Sequence, residues 1–567
     1  MDTKALLAKE LAGIIGMEAQ EIENMFETPP NREMGDIALP CFKLARVLRK
    51  APPAIAAELA QKLSLPEAVR EARAEGGYLN FFLDGNKRVR TVLEAVAAKN
   101  EAYGSSDKGA GKTICIDYSS INIAKRCHIG HLSTTAIGNA LYKIYSFLGY
   151  ECVGINHLGD WGTQFGKLIC AYKLWSNRES IEKGGIDALV ELYVRFNNEA
   201  DEEMENQARA WFKKIEDDDA EAMEIFNWFK DITLRDVSRI YDLLGIKFDS
   251  YNGESFYKDK WQSVVAELKE KELLVPSEGA QVVMLEDYNM PPCILLKNDG
   301  ASVYATRDIA AAMYRKKTYD FHKCLYVVAY QQNLHFRQFI KVIELMGYDW
   351  AKDLIHVPFG MVSFEGQTLS TRKGNIVYLD ELLERAIVKA GEIIDQKNPE
   401  LPDKETVARQ VGVGAVLFYD LYNSRIKDVD FWWDRALAFE GETGPYVQYT
   451  HARACSVLAK SGVSATDALN NADCDYSALD NSEAQEVIAL LEGFPQAVDA
   501  ACEKNEPCVV LRHTVALAQA FNRFYFEHRI ITEDGNATNA NLKLCAAVKT
   551  VIKTGLSLAG IEAPNKM

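Results

Sequence analysis

Two histidines three residues apart, His128 and His131, bracket Ile129-Gly130 where the chain changes from a β-type run to a helical pattern. Upstream, Thr113-Ile-Cys-Ile-Asp-Tyr118 is rich in β-branched and aromatic residues. Downstream, Leu132, Ala136, Leu141, Ile144 and Leu148 recur at helical spacing. A helix N-terminus carries unpaired N–H groups and partial positive charge, so it favours phosphate. Imidazoles beside it add donors for an anionic transition state. Their spacing puts both rings on one helix face, and Gly130 leaves the backbone open to a phosphate or a base. A metal centre would need a third ligand, for which His157 is the one nearby candidate. An isolated His pair is more often structural, but the strand, loop and helix context favours ATP binding by residues 117–148.

These side chains need elements to hold them. Glu151-Cys-Val-Gly-Ile-Asn156 predicts a second strand, giving β–α–β with a crossover helix, the unit of parallel sheets. It runs into His157-Leu-Gly-Asp-Trp-Gly-Thr-Gln-Phe-Gly166, at the strand end where open α/β sheets bind ligands. Further strand-like runs lie at Gln281–Met284, Cys293–Leu296 and the apolar Lys323–Ala329. Val357–Val362 leads into a basic, glycine-punctuated loop, Gly366 to Asn375.

The expected fold class is α/β: a doubly wound parallel-sheet (Rossmann-like) catalytic domain at 105–380, with a helical insertion around 175–240. The acidic runs of that insertion, Glu199–Glu205 and Glu216–Asp219, read as solvated helix faces. Before it, residues 1–104 form an α+β domain, with helices at Thr3–Ile15 and Pro53–Leu63, a loop at Asn31–Asp36 and a strand at Gly77–Leu83. After it, a linking helical region at 381–443 precedes an all-α bundle at 444–567. Gly109-Ala-Gly-Lys-Thr113 mimics a phosphate loop. Ser106 stands where that pattern needs its first glycine, and a strand follows where a helix is required.

At 567 residues the chain calls for several domains. The net charge of −17 argues against a non-specific nucleic-acid binder but leaves room for a local basic site. The 12 cysteines contain no CxxC pair, so no structural zinc site and no disulfide framework is expected. No apolar run reaches the ~18 residues of a membrane span, and the first residues lack a signal-peptide core, which points to the cytoplasm.

HIGH at 128–131, followed by Ser370-Thr-Arg-Lys-Gly-Asn375, resembles the class I aminoacyl-tRNA synthetases. Ser120-Ile-Asn-Ile-Ala-Lys125, HIGHLSTTAIGNAL and HLGDWGTQFG are similar to the arginyl-tRNA synthetases in particular. The resemblance covers nearly the whole chain. The stretch from Asn31 to Ala60 resembles that family's N-terminal domain, which meets the tRNA elbow. Tyr304-Ala-Thr-Arg-Asp308 and Ala329-Tyr-Gln-Gln332 resemble its arginine-pocket segments. The stretch from Gly444 to Pro564 resembles its anticodon-binding helical bundle.

The resemblance implies an arginine–tRNA ligase, using ATP with Mg²⁺, L-arginine and tRNA(Arg), with no membrane partner and a monomeric state. It maps arginine binding onto Asp117, Asn122, Tyr304, Asp308 and Gln332, and catalysis onto Lys125, His128, His131, Arg372 and Lys373. ATP binding falls on His128, Gly130, His131, Ser370 and Thr371. His157 and Asp160 border the site, and Tyr525 and Met567 are the tRNA-contact candidates.

Two carboxylates, a phenol and an amide suit a planar guanidinium with five donors. Read alone, Asp308 is equally an N-cap for the helix that opens with Ile309. The family's lysine–methionine–serine–lysine–serine loop aligns with Thr368-Leu-Ser-Thr-Arg372, where both lysines are replaced by threonine. Lys125, Arg372 or Lys373 would then supply the missing cation. Ile121 and Ser133 stand where the family commonly has proline and arginine. A nucleotidyltransferase of the same superfamily and a non-catalytic tRNA-binding paralogue are the rival readings.

Overall fold

The first strand of the parallel sheet, β1 (Thr113–Asp117), is buried over its last four residues, as a strand covered on both faces must be. The computed structural model describes residues 3–29, 34–66, 68–298, 300–368 and 376–567. From β1 the chain enters helix α1 (Leu132–Phe147) and returns through β2 (Glu151–Ile155), the expected crossover unit. After helix Thr163–Trp175, three helices fill the predicted insertion, α2 (Arg178–Glu199), Glu202–Glu216 and α3 (Ala220–Leu244). The acidic residues there do local work. Asp201 and Asp219 cap helix N-termini, each accepting from a backbone N–H, and Glu202, Glu203 and Glu205 sit in one first turn, where the helix dipole favours them.

The sheet is completed by α4 (Tyr304–Tyr319), β3 (Lys323–Ala329), α5 (Asn333–Leu345) and β4 (Leu354–Phe359). Its order is β4-β3-β1-β2, with every pairing parallel. β1 therefore has its chain successor β2 on one side and β3 on the other. That reversal is the topological switch point, and it opens a crevice at the carboxyl ends of β1 and β3. Cys115, Ile155, Ile309, Cys324, Phe339, Val342, Ile343 and Leu354 share one buried core, each large apolar side chain contributing about 1.5–3 kcal/mol. A separate antiparallel sheet, Val275–Ser277, Ala280–Val283 and Cys293–Leu296, carries the other predicted strand runs.

Beyond the sheet, α6 (Leu379–Lys397) and α7 (Lys404–Leu421) begin the helical region. One short strand interrupts it: Val429–Phe431 pairs in parallel with Val362–Phe364. Three residues are too few to show a period of two, which is why the sequence reads as helical throughout. Lys112 leads into β1, so the phosphate-loop mimic ends in a strand.

The chain groups into two compact units. One comprises Gly104–Ser456, Gly493–Ala518 and Thr550–Met567, and holds the parallel sheet. The other comprises Met1–Tyr103, Val457–Glu492 and Gln519–Lys549. In this second unit, strand Tyr78–Leu83 lies between Ile37–Pro40 and Val69–Glu75, all antiparallel. Helices Thr3–Ile15 and Pro52–Lys62 cover the sheet through Leu7, Leu11, Ile55 and Leu59.

Candidate active site at the sheet switch point

Beyond Asp117 the backbone takes three left-handed turns at non-glycine residues: Ser119 (φ 69°), Ser120 (φ 46°) and Ala124 (φ 59°). Such conformations persist only where the surroundings over-determine them. Here the Ser119 N–H donates to Thr134 Oγ1 (3.1 Å), the Ala124 N–H to Thr233 Oγ1 (3.0 Å), and the Ser120 hydroxyl to Asp117 Oδ1 (2.8 Å). The loop also exchanges backbone bonds with Gly159, through Gly159 N–H to Ile121 O (2.8 Å) and Ile123 N–H to Gly159 O (3.2 Å). A Cβ at Gly159 would collide with the Asn122 side chain, so only glycine allows this approach. The two motif loops are thus one structure, presenting an exposed Asn122.

The histidine pair orients itself. His128 Nδ1 accepts the Gly130 N–H, and His131 Nδ1 accepts the His128 N–H, both at 3.1 Å, with ring centroids 4.1 Å apart. An imidazole that accepts at Nδ1 carries its proton on Nε2. Burial, the neighbouring ring and Lys125 push the His131 pKa down to about 4, and burial followed by Lys125 lowers that of His128. Both rings are therefore neutral Nε2–H donors near pH 7. The space over Gly130 is not open backbone as the sequence suggests: a Cβ there would lie 2.8–2.9 Å from the His128 ring. Glycine at 130 makes room for the imidazole. Lys125 is exposed on the same loop.

Asp117 is 5% exposed, and its Oδ2 accepts Arg315 Nη2 at 2.7 Å. Arg315 is itself 1% exposed and lies 3.3 Å from His157 Nδ1. Asp160 is fully buried, accepting Lys230 Nζ (2.7 Å) and both the N–H and hydroxyl of Ser255 (2.8 and 2.7 Å). It anchors the segment that carries Glu254. Asp308 is not an N-cap. Val303 holds that place on α4, and Asp308 is the fifth helical residue, its Oδ2 2.6 Å from His335 Nε2. Tyr304, one turn earlier, is 64% exposed, and Gln332 is exposed at the start of α5.

Two groups escaped the sequence reading. Glu254 is largely buried, and its Oε2 is 3.6 Å from Arg307 Nη2. Burial raises its pKa to about 7, with the negative charges of Asp308 and Asp160 adding to the shift against Arg307. It sits in an unremarkable Gly253-Glu-Ser-Phe-Tyr257 stretch with no periodicity to expose it. Arg307 lies inside a segment already singled out, but its partner is far away in sequence.

Ser370, Thr371, Arg372 and Lys373 fall outside the described residues. Tyr525, on helix Cys508–Glu527, is exposed, and the Met567 carbonyl accepts from Asn398 Nδ2 at 3.2 Å.

A parallel sheet with its crevice at the switch point, and a pair of imidazoles at the N-terminus of the first crossover helix, is the build of a class I aminoacyl-tRNA synthetase. The comparisons narrow it. Residues 91–433 match the family model for tRNA synthetases class I (R), catalytic domain. Residues 447–567 match the DALR anticodon binding domain, and residues 1–83 the arginyl tRNA synthetase N terminal domain. The arginine–tRNA ligase of Alkaliphilus metalliredigens is 53% identical over 562 residues, covering 98% of each chain. That of Clostridioides difficile is 52% identical over 553 residues, covering 97% of each. The solved arginyl-tRNA synthetase of Thermus thermophilus superposes with a TM-score of 0.83 at 27% identity, over 99% of this chain and 100% of that one. The chain belongs to the arginyl-tRNA synthetase family.

Proposed function

We propose that Asp308 is the carboxylate that receives the substrate guanidinium, in an enzyme that activates L-arginine with ATP and joins it to the terminal adenosine of tRNA(Arg). One observation carries this assignment: a charge count. Asp117 is matched by Arg315, Asp160 by Lys230 and Glu254 by Arg307, whereas among the described residues Asp308 faces only an imidazole. A cationic ligand goes where the fold has left a carboxylate without a cation. Tyr304 and Gln332 complete the side-chain contacts, and Asn122 serves the α-amino or carboxylate end.

The arginine carboxylate attacks the α-phosphate of ATP, forming arginyl-adenylate and releasing pyrophosphate. A ribose hydroxyl of the terminal adenosine of tRNA then attacks the arginyl carbonyl, forming the ester, releasing AMP and giving up its proton. No side chain need act as nucleophile, so catalysis is positioning plus stabilisation of phosphate charge. His128 and His131 donate from Nε2 to that charge. Lys125, Arg372 or Lys373 supplies the cation that the two threonines of the basic loop do not. Mg²⁺ would enter with ATP and neutralise the leaving pyrophosphate. It is held largely by substrate phosphates and water, so it needs no dedicated protein cage. Among the described residues no group of three or more metal-ligating side chains forms one. No described helix is long and apolar enough to cross a membrane. We place the enzyme in the cytoplasm, acting as a monomer, with Tyr525 and Met567 each a candidate tRNA contact.

The test is attachment of radiolabelled amino acid to tRNA, with arginine against lysine and citrulline. Transfer of arginine alone supports the reading. Adenylyl transfer to a small molecule would support the nucleotidyltransferase rival, and tRNA binding without turnover the non-catalytic one.

A further inference from the structure

The loop that carries the histidine pair is hydrogen-bonded to the residues that follow the basic loop. The Ile129 N–H donates to Val377 O (2.9 Å), and the Leu379 N–H to Cys127 O (3.0 Å), making an isolated antiparallel bridge between His128 and Tyr378. Two backbone bonds outside any sheet are a weak junction. A side chain strengthens this one. The Arg126 guanidinium lies 3.8 Å from the centre of the Tyr378 ring, and its Nη2 donates to Asp380 Oδ2 (2.8 Å) and Glu381 Oε1 (3.1 Å). Nη1 lies 3.6 Å from Asp187 Oδ1 on α2. The four partners are not equal. Arg126 and Asp380 are 16% and 25% exposed, whereas Glu381 and Asp187 are both more than 60% exposed, so solvent screens the latter two.

The junction matters because of what its middle residue does. The His128 N–H holds the His131 ring, and the His128 Nδ1 is held by Gly130. A displacement of the 127–129 backbone therefore re-aims both imidazoles together. We propose that Arg126 is a positioning residue for the histidine pair, clamping residues 377–381 against the loop so that both Nε2–H donors keep their aim. Arg126 itself points to its carboxylate partners and the Tyr378 ring, not to substrate. Arginine fits this work better than lysine, since a planar guanidinium stacks on a ring and bridges two carboxylates at once. The inference rests on the donor role proposed for His128 and His131.

The experiment is a double-mutant cycle in the full-length enzyme, read as kcat and KM for ATP, arginine and tRNA. Arg126→Ala should lower kcat by about 10–100-fold, the usual effect of misplacing a catalytic group by an ångström. The KM for arginine should stay within about twofold, since the pocket on α4 is untouched. Arg126→Lys should recover part of the loss. In a His131→Ala background, Arg126→Ala should cost little more, because the group it positions is gone. Should Arg126→Ala prove insoluble, Asp380→Asn tests the same clamp and should lower kcat several-fold.

Two results would overturn the proposal: unchanged kcat with only a lower melting temperature, or losses that multiply in the double mutant. A fully active His131→Ala enzyme would instead overturn the donor role on which the clamp depends, and would be seen before any Arg126 variant was compared.

Discussion

Arg315 and Asp117 form a buried ion pair at 2.7 Å, joining the end of β1 to the C-terminal half of α4. Helix α4 also carries Tyr304 and Asp308, so the pair fixes the helix of the proposed arginine pocket to the strand that leads into the HIGH loop. Removing one partner of a buried pair leaves an uncompensated charge and typically costs about 3–5 kcal/mol. Asp117→Asn should therefore lower the thermal unfolding temperature and the soluble yield. Asp308→Asn should leave the melt nearly unchanged and raise the KM for arginine by about 10–150-fold, the worth of one charge-assisted hydrogen bond. Parallel melts and arginine titrations check both. A well-folded Asp117→Asn enzyme with a high KM for arginine would return Asp117 to the list of direct ligands.

Glu254 predicts a pH dependence of arginine binding. Its pKa is raised to about 7, mainly by burial. A substrate cation bound at Asp308, whose charge already bears on Glu254, would favour the ionised form, so arginine should bind more tightly when the proton has left. The KM for arginine should rise as pH falls from 8 to 6, by up to about tenfold. Glu254→Gln should flatten that profile. A wild-type KM that stays constant over this range would remove Glu254 from the pocket's electrostatics.

The imidazoles should behave in the opposite way. With His131 depressed to about 4, its donor proton on Nε2 is retained throughout the neutral range, and kcat at saturating arginine should show no inflection near 6.5 from this residue. The sign for stability follows. A histidine whose folded pKa lies below its unfolded value contributes stability above about 6.5 and loses it as pH falls toward 4. Titration of the His131 ring protons by NMR measures the value directly. His131→Ala should lower kcat by roughly 10²–10³ while retaining the fold. Full activity in that variant would exclude the donor role.

Ser133, where the family commonly has arginine, donates to Asp420 Oδ1 at 2.6 Å. A hydroxyl cannot neutralise the carboxylate, and burial raises the Asp420 pKa to about 6 against the smaller opposing effect of that hydrogen bond. The fold thus prefers the protonated acid. Its contribution is present below about 4 and lost as pH rises through 6. Asp420→Asn should raise the unfolding temperature at pH 8 by about 1–3 °C and give no gain at pH 4.5. Scanning calorimetry at the two pH values decides it. Equal shifts at both would show that charge is not the cause.

Much of the site was readable because its determinants are local. β1, the HIGH loop and α1 are consecutive, and each advertises itself by residue type or period. The charge count was not readable. Asp117 and Arg315 stand nearly two hundred positions apart, and only the fold shows that an acid which looks available is already occupied. Asp308 illustrates a propensity misread. An aspartate before Ile-Ala-Ala-Ala is a good cap, but Ala305 and Arg307 favour helix too, so the helix begins at Tyr304 and the carboxylate is left to face His335. Glu254 gave no signal, since its character comes from the walls around it.

The three left-handed residues of the loop after β1 carry a consequence for how this sequence can drift. Glycine at Ser119, Ser120 or Ala124 would relieve about 1 kcal/mol of backbone strain, yet would add a similar freedom to the unfolded chain. The two effects nearly cancel. Such a variant would pass a screen for thermal stability unnoticed, while Asn122 and the HIGH loop lost the stiff backbone that aims them. The strain at these three positions therefore bears on turnover rather than on stability, and a mutational scan read out by growth should find them constrained where one read out by abundance does not.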